Sequence, residues 1–199
     1  MAETISPAVH GGRSLAYWRA VTVHVLGAAL AAAALGLGLG SVGAVLGAPW
    51  LSAAPVIVAT VAVLYFLRET AGLRVPVPHL RRQVPDWWRT FYSPSVASFL
   101  YGLGLGAGFF TYLSFGTFAA VAVAALATGS PLWGAVLCAP FGAARGISVL
   151  AGSGALDAER GALVVDRLER TSGTRLPSAL NAGALLALAV ASAAAGIRL

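Results

Sequence analysis

A chain of 199 residues with 58% hydrophobic and only 10% charged side chains, and a mean hydropathy of +0.83, falls in the polytopic membrane class and excludes a soluble globular domain. The formal charge of +6 and pI near 10.4 come from thirteen arginines and no lysine. These arginines stand beside apolar runs, as orientation signals do, and not in a groove-sized patch, which argues against a nucleic-acid partner.

Residues 1–17 are polar and aperiodic, with Pro7, Gly11 and Gly12, and read as a mobile cytoplasmic tail. The first span, about 18–46, is far longer than the roughly 7–15 residues of a signal-peptide core and stays as an anchor. Its LGLGLG run supplies Gly36 and Gly40 for close helix packing, and its His24, near the interface, reads as simply hydrogen-bonded. After a turn at 47–50 a second span covers about 51–67. The polar loop 68–93 then carries Arg81, Arg82 and Arg89 beside Trp87 and Trp88, a set suited to gripping anionic lipid or a partner at the inner face.

The stretch 94–129 organises the chain. At about 1.5 Å per residue it is too long for one simple crossing of a roughly 30 Å hydrocarbon layer, so a bent or interrupted helix is expected. Gly102, Gly104, Gly106 and Gly108 read as packing positions, and Thr111, Tyr112, Ser114 and Thr117 bring hydroxyls to membrane depth, where they would line a substrate path. A fourth span, about 132–150, contributes Gly142 and Gly146 to packing and carries Arg145 near its inner end as an interface anchor. The loop 152–176 is polar; within it Asp157 is placed to cap a short helix carrying Leu156, Leu163, Val164 and Leu168, suited to the membrane surface. The last span is about 178–197, where Asn181 reads as interhelical glue.

The pattern predicts an all-α, polytopic integral membrane protein with one transmembrane domain over 18–199. It has five spans and a long interrupted central helix; a split of 94–129 into two spans gives six as the alternative. With five, the amino terminus is cytoplasmic, Trp18, Trp87 and Trp88 mark the inner interface, and Trp50 and Trp133 mark the outer one. Arginine without lysine, and the wealth of alanine and glycine, fit the codon bias of a GC-rich bacterium and hence a bacterial inner membrane.

As an ordered string, FLYGLGLGAGFFTYLSF, then GSPLWGAVLCAPFGAARG, then a final span after a polar loop, the second half resembles the membrane core of the CcdA/DsbD thiol-disulfide carriers, within the wider superfamily of LysE-type exporters. Residues 20–68 resemble helices of that family's first half-repeat. The resemblance implies a helix broken near Thr111-Tyr112-Leu113 and a relay between two cysteines. Leu113 stands where one of those cysteines is expected, and the lone Cys138 matches neither position, so the expected relative is redox-silent.

No catalytic, phosphate-binding or metal-ligating motif is present, and the spans hold no carboxylate, so neither an enzyme nor a cofactor or metal is expected. The first functional expectation is a small transporter whose path passes Thr111 to Thr117. The second is a non-transporting subunit that meets another membrane protein, or a second copy, through its glycine faces. The third is a thiol relay pairing Cys138 with a partner chain. The lipid bilayer is the one partner common to all.

Overall fold

The computed structural model describes residues 5–77, 85, 87–108 and 116–196, and among these the chain is helical with no strand. The elements are α1 (Leu15–Val45), α2 (Ala54–Ala71), the single turn α3 (Trp88–Phe91), α4 (Pro94–Gly106), α5 (Thr117–Ala127), α6 (Pro131–Ile147), α7 (Ala158–Ser172) and α8 (Leu176–Gly196). Short 3-10 turns at Leu51–Ala53 and Ser148–Gly152 extend α2 and α6.

Among the described residues four helical segments are long and apolar enough to cross a membrane: Leu15–Val45, Leu51–Ala71, Pro131–Gly152 and Leu176–Gly196. The central stretch, expected as one long interrupted span, is described on either side of residues 109–115, which lie outside the described residues. It holds α4, whose 13 residues reach about 20 Å, and α5, whose 11 reach about 17 Å, each short of a roughly 30 Å layer. Local sequence explains the ends of α4. Pro94 opens it, where the missing N–H costs nothing, and Ala107 and Gly108 turn out of it, with Gly108 at φ 72°, a left-handed backbone that favours glycine.

The chain divides into two compact units. The first draws its described residues from Met1–Ala32, Arg81–Thr111 and Ala139–Thr174; the second from Ala33–Leu80, Tyr112–Cys138 and Arg175–Leu199.

In the first unit α1 and α4 run parallel: Gly102 lies against the backbone at His24, and Gly106 against that at Ala28. The end of α6 runs antiparallel to α1, with Gly142 on Ala28 and Gly146 on Val25. The described residues before α1, from Ile5 on, are not a free tail. Ile5 is fully buried with Tyr17, Ala20, Val21 and Val149, and the Ala8 N–H donates to the Ala155 carbonyl at 3.0 Å. One isolated isoleucine carries no periodicity, which is why this docking was not visible in the sequence.

In the second unit α2 and α8 are antiparallel, since Gly196 meets Pro55 at the start of α2 while Leu185 packs with Tyr65 further along. Ala119 and Ala120 of α5 join that core, and the buried Gly116 gives room to the Tyr65 ring. Here α1 and α6 are again antiparallel, Gly36 meeting Gly134 and Cys138, and Gly40 meeting Ser130.

Candidate functional site

The buried polar groups of the first unit's helices gather around the α1–α4–α6 packing. His24 is nine positions into α1, about 14 Å along the helix from Leu15, and is fully buried. Its Nδ1 lies 3.1 Å from the Ser98 carbonyl oxygen. A carbonyl only accepts, so Nδ1 carries the hydrogen, and in the neutral ring Nε2 keeps its lone pair. That Nε2 is buried with no hydrogen-bond partner among the described residues. The contact exists because Gly102, one turn beyond Ser98, has no side chain: a Cβ there would overlap the His24 carbonyl. The Ser98 hydroxyl donates to the Pro94 carbonyl at 2.7 Å, the usual local partner of a serine within a helix.

Arg145 supplies the second contact. Its Nη1 donates to the Leu105 carbonyl at 2.7 Å, and its guanidinium carbon lies 5.9 Å from the Phe141 ring centroid. Leu105 belongs to the last turn of α4, where carbonyls lose their helical partners and carry the negative end of the helix dipole. An arginine there satisfies an orphan acceptor and meets the dipole with the correct sign. Sequence reading placed Arg145 at the interface; the structure places its side chain on the end of α4. Gly142 and Gly146, on either side of Arg145, bring α6 close enough to α1 for this reach. Pro140, inside α6, removes one backbone donor just before the turn that carries Arg145.

Of the predicted path residues, Thr111, Tyr112 and Ser114 lie outside the described residues. Thr117 opens α5, and its hydroxyl oxygen is buried without a hydrogen-bond partner among the described residues. Arg81 and Arg82 also lie outside the description, as does the side chain of Arg89 in α3. Trp87 is exposed, stacked edge-on to Phe91 at 5.8 Å, while Trp88 packs on Tyr101 at 5.8 Å. Gly104 is buried within α4. Cys138 is 3% exposed and packs against Gly36. No group of three or more His, Cys, Asp or Glu able to hold a metal occurs among the described residues.

Sequence reasoning missed Ser98 and the Leu105 carbonyl. Both contacts use backbone oxygens, and no residue type announces those.

No protein-family model matches the chain, and no solved structure matches it. Curated relatives do. The chain is 31% identical over 148 residues to the methylamine utilization protein MauF of Paracoccus versutus, covering 73% of this chain and 54% of that protein. It is 34% identical over 127 residues to MauF of Methylophilus methylotrophus, covering 63% and 45%. MauF of Paracoccus denitrificans is 31% identical over 147 residues, covering 73% and 53%. The chain thus spans about half the length of the curated relatives it matches.

These relatives correct the expected kinship with the CcdA/DsbD carriers. That resemblance rested on glycine placement and hydropathy, which any closely packed, alanine-rich membrane bundle acquires for the same physical reason.

Proposed function

We propose that the chain is a multi-pass bacterial inner-membrane protein serving methylamine utilization as a non-transporting accessory subunit. The observation that carries the reading is the state of its intramembrane polar groups in the first unit. His24 and Arg145 are turned onto backbone carbonyls of α4 inside a glycine-lined packing, so they staple helices together. The names of the relatives supply the process. In this reading α4 and α5 together make the third of five crossings. The ends gathered around the start of α1, which include Arg13, Arg19 and α7, face the cytoplasm by the positive-inside rule.

A second reading, a small transporter whose path runs past Thr111 to Thr117, is favoured by the short reach of α4 and α5 and by the Thr117 hydroxyl, buried without a partner among the described residues. A thiol relay through Cys138 is disfavoured by its burial.

Deletion of the encoding gene, followed by growth on methylamine and uptake of labelled methylamine by intact cells, tests the proposal. Lost growth with unchanged uptake is the expected result. Unchanged growth would remove the link to methylamine, and lost uptake would establish the transporter reading in its place.

A further inference from the structure

We propose that α7 carries a binding site for the phosphate of an anionic phospholipid, seated on Arg160, Arg167 and Arg170. The proposal does not depend on the methylamine reading.

Three observations lead to it. At about 100° per residue, Arg160, Leu163, Arg167 and Arg170 fall within about 80° of helix arc, so one stripe of α7 is cationic with a leucine in its middle. That stripe lines a cleft of about 530 Å³ together with Gly154, Val164 and Asp166. Leu163 is 63% exposed although a long apolar side chain gains by leaving water. An apolar residue among guanidinium groups fits the boundary between headgroup and acyl chain, where the leucine meets hydrocarbon and the arginines meet phosphate.

Charge complementarity favours an anion. Asp166 accepts an ion pair from Arg170 at 2.7 Å, and Asp157 one from Arg160 at 3.5 Å from outside the cleft. Arg167 is in no ion pair among the described residues. Three arginines against Asp166 give +2 among the lining residues, and the Asp157 pair on Arg160 lowers this to about +1, which matches the single negative charge of a phosphodiester. The remaining carboxylates of the helix, Glu159 and Glu169, do not line the cleft. Arginine is the side chain suited to this ligand, because its planar fork offers paired donors to phosphate oxygens.

Position favours a lipid over a soluble phosphate. Ala158 follows Gly152, the end of one long apolar segment, by six positions, and Leu176, the start of another, follows Ser172 by four. An extended chain spans at most about 3.6 Å per residue, so each end of α7 stays within about 20 Å of a membrane-crossing helix. α7 is thus tethered at both ends to segments long and apolar enough to cross a membrane.

The test uses the full chain in nanodiscs, with Leu163→Cys labelled by bimane in a Cys138→Ala background. Quenching by brominated phosphatidylglycerol should exceed that by brominated phosphatidylcholine at least twofold at equal mole fraction. Replacing Arg160, Arg167 and Arg170 together by glutamine should abolish the difference, and Arg167→Gln alone should reduce it. Equal quenching by the two lipids would overturn the proposal, as would a difference that survives the triple change. Loss of the preference on adding excess inorganic phosphate would overturn the lipid assignment in favour of a soluble anion. As an independent readout, the unlabelled chain should unfold at a higher temperature in phosphatidylglycerol than in phosphatidylcholine discs. Arg167→Gln should narrow that gap; a gap that Arg167→Gln leaves intact counts against the site.

Discussion

The two units solve the same packing problem with different means. In the first, α4 and α6 approach α1 backbone to backbone, and two polar side chains, His24 and Arg145, close the fit by donating to carbonyls of α4. In the second, α1 and α6 also meet through glycine, but the interface of α2 on α8 with α5 is a side-chain core of Tyr65, Leu185, Ala119 and Ala120. Its contact across a turn, Tyr65 hydroxyl to the Pro76 carbonyl at 2.9 Å, leaves the end of α2 for the following loop instead of joining two helices. In a bilayer there is no hydrophobic force between helices, so shape and hydrogen bonds decide which ones pair. The first unit specifies its partners by both; the second does so mainly by shape.

That contrast breaks most sharply at the glycines. Gly106→Leu puts a side chain into the Ala28 backbone, whereas Gly38 has nothing within 4 Å of its missing Cβ. Gly106→Leu should cost about 3 kcal/mol or more and remove the protein from the membrane fraction, while Gly38→Leu should accumulate normally. Equal accumulation of both variants would show that close backbone approach is not what holds the first unit.

Arg145→Met keeps much of the side-chain bulk but leaves the Leu105 carbonyl with one charged donor fewer. A loss of about 2 kcal/mol is expected in reversible unfolding in detergent. Tyr65→Phe, the matching deletion in the second unit, should cost about 1 kcal/mol, because a neutral hydroxyl is lost. A larger effect at Tyr65 than at Arg145 would invert the comparison.

Smaller and more local is Asp157→Ala. The Asp157 carboxylate accepts from the Arg160 backbone N–H at 2.7 Å and caps α7. Its removal should cost about 1 kcal/mol, read as faster amide exchange confined to the first turns of α7. Cys138→Ala should be nearly silent, below about 1 kcal/mol and without effect on growth, since the thiol packs as a small apolar group.

How much of this was legible depends on what kind of atom does the work. The long apolar runs gave α1, α2, α6 and α8 to within a few residues, because hydropathy over about 20 residues is a strong signal. Asp157 was legible too, since a side-chain cap depends on residue type. The partners of His24 and Arg145 were not. Each is a carbonyl whose availability depends on a neighbouring helix ending or coming close, and that is decided by tertiary placement. The family assignment failed for a related reason: glycine spacing reports how near helices come, and unrelated bundles come equally near.

The hydrogen bond from His24 to Ser98 joins residues 74 positions apart. At a synthesis rate of about 5–20 residues per second, α1 therefore waits roughly 4–15 seconds between its own emergence and that of its partner. During that interval the imidazole stands on a helix with nothing to receive its proton but water, phospholipid carbonyls or the insertion machinery. The His24 contact thus forms late by necessity, a kinetic demand set by the order in which the helices are made.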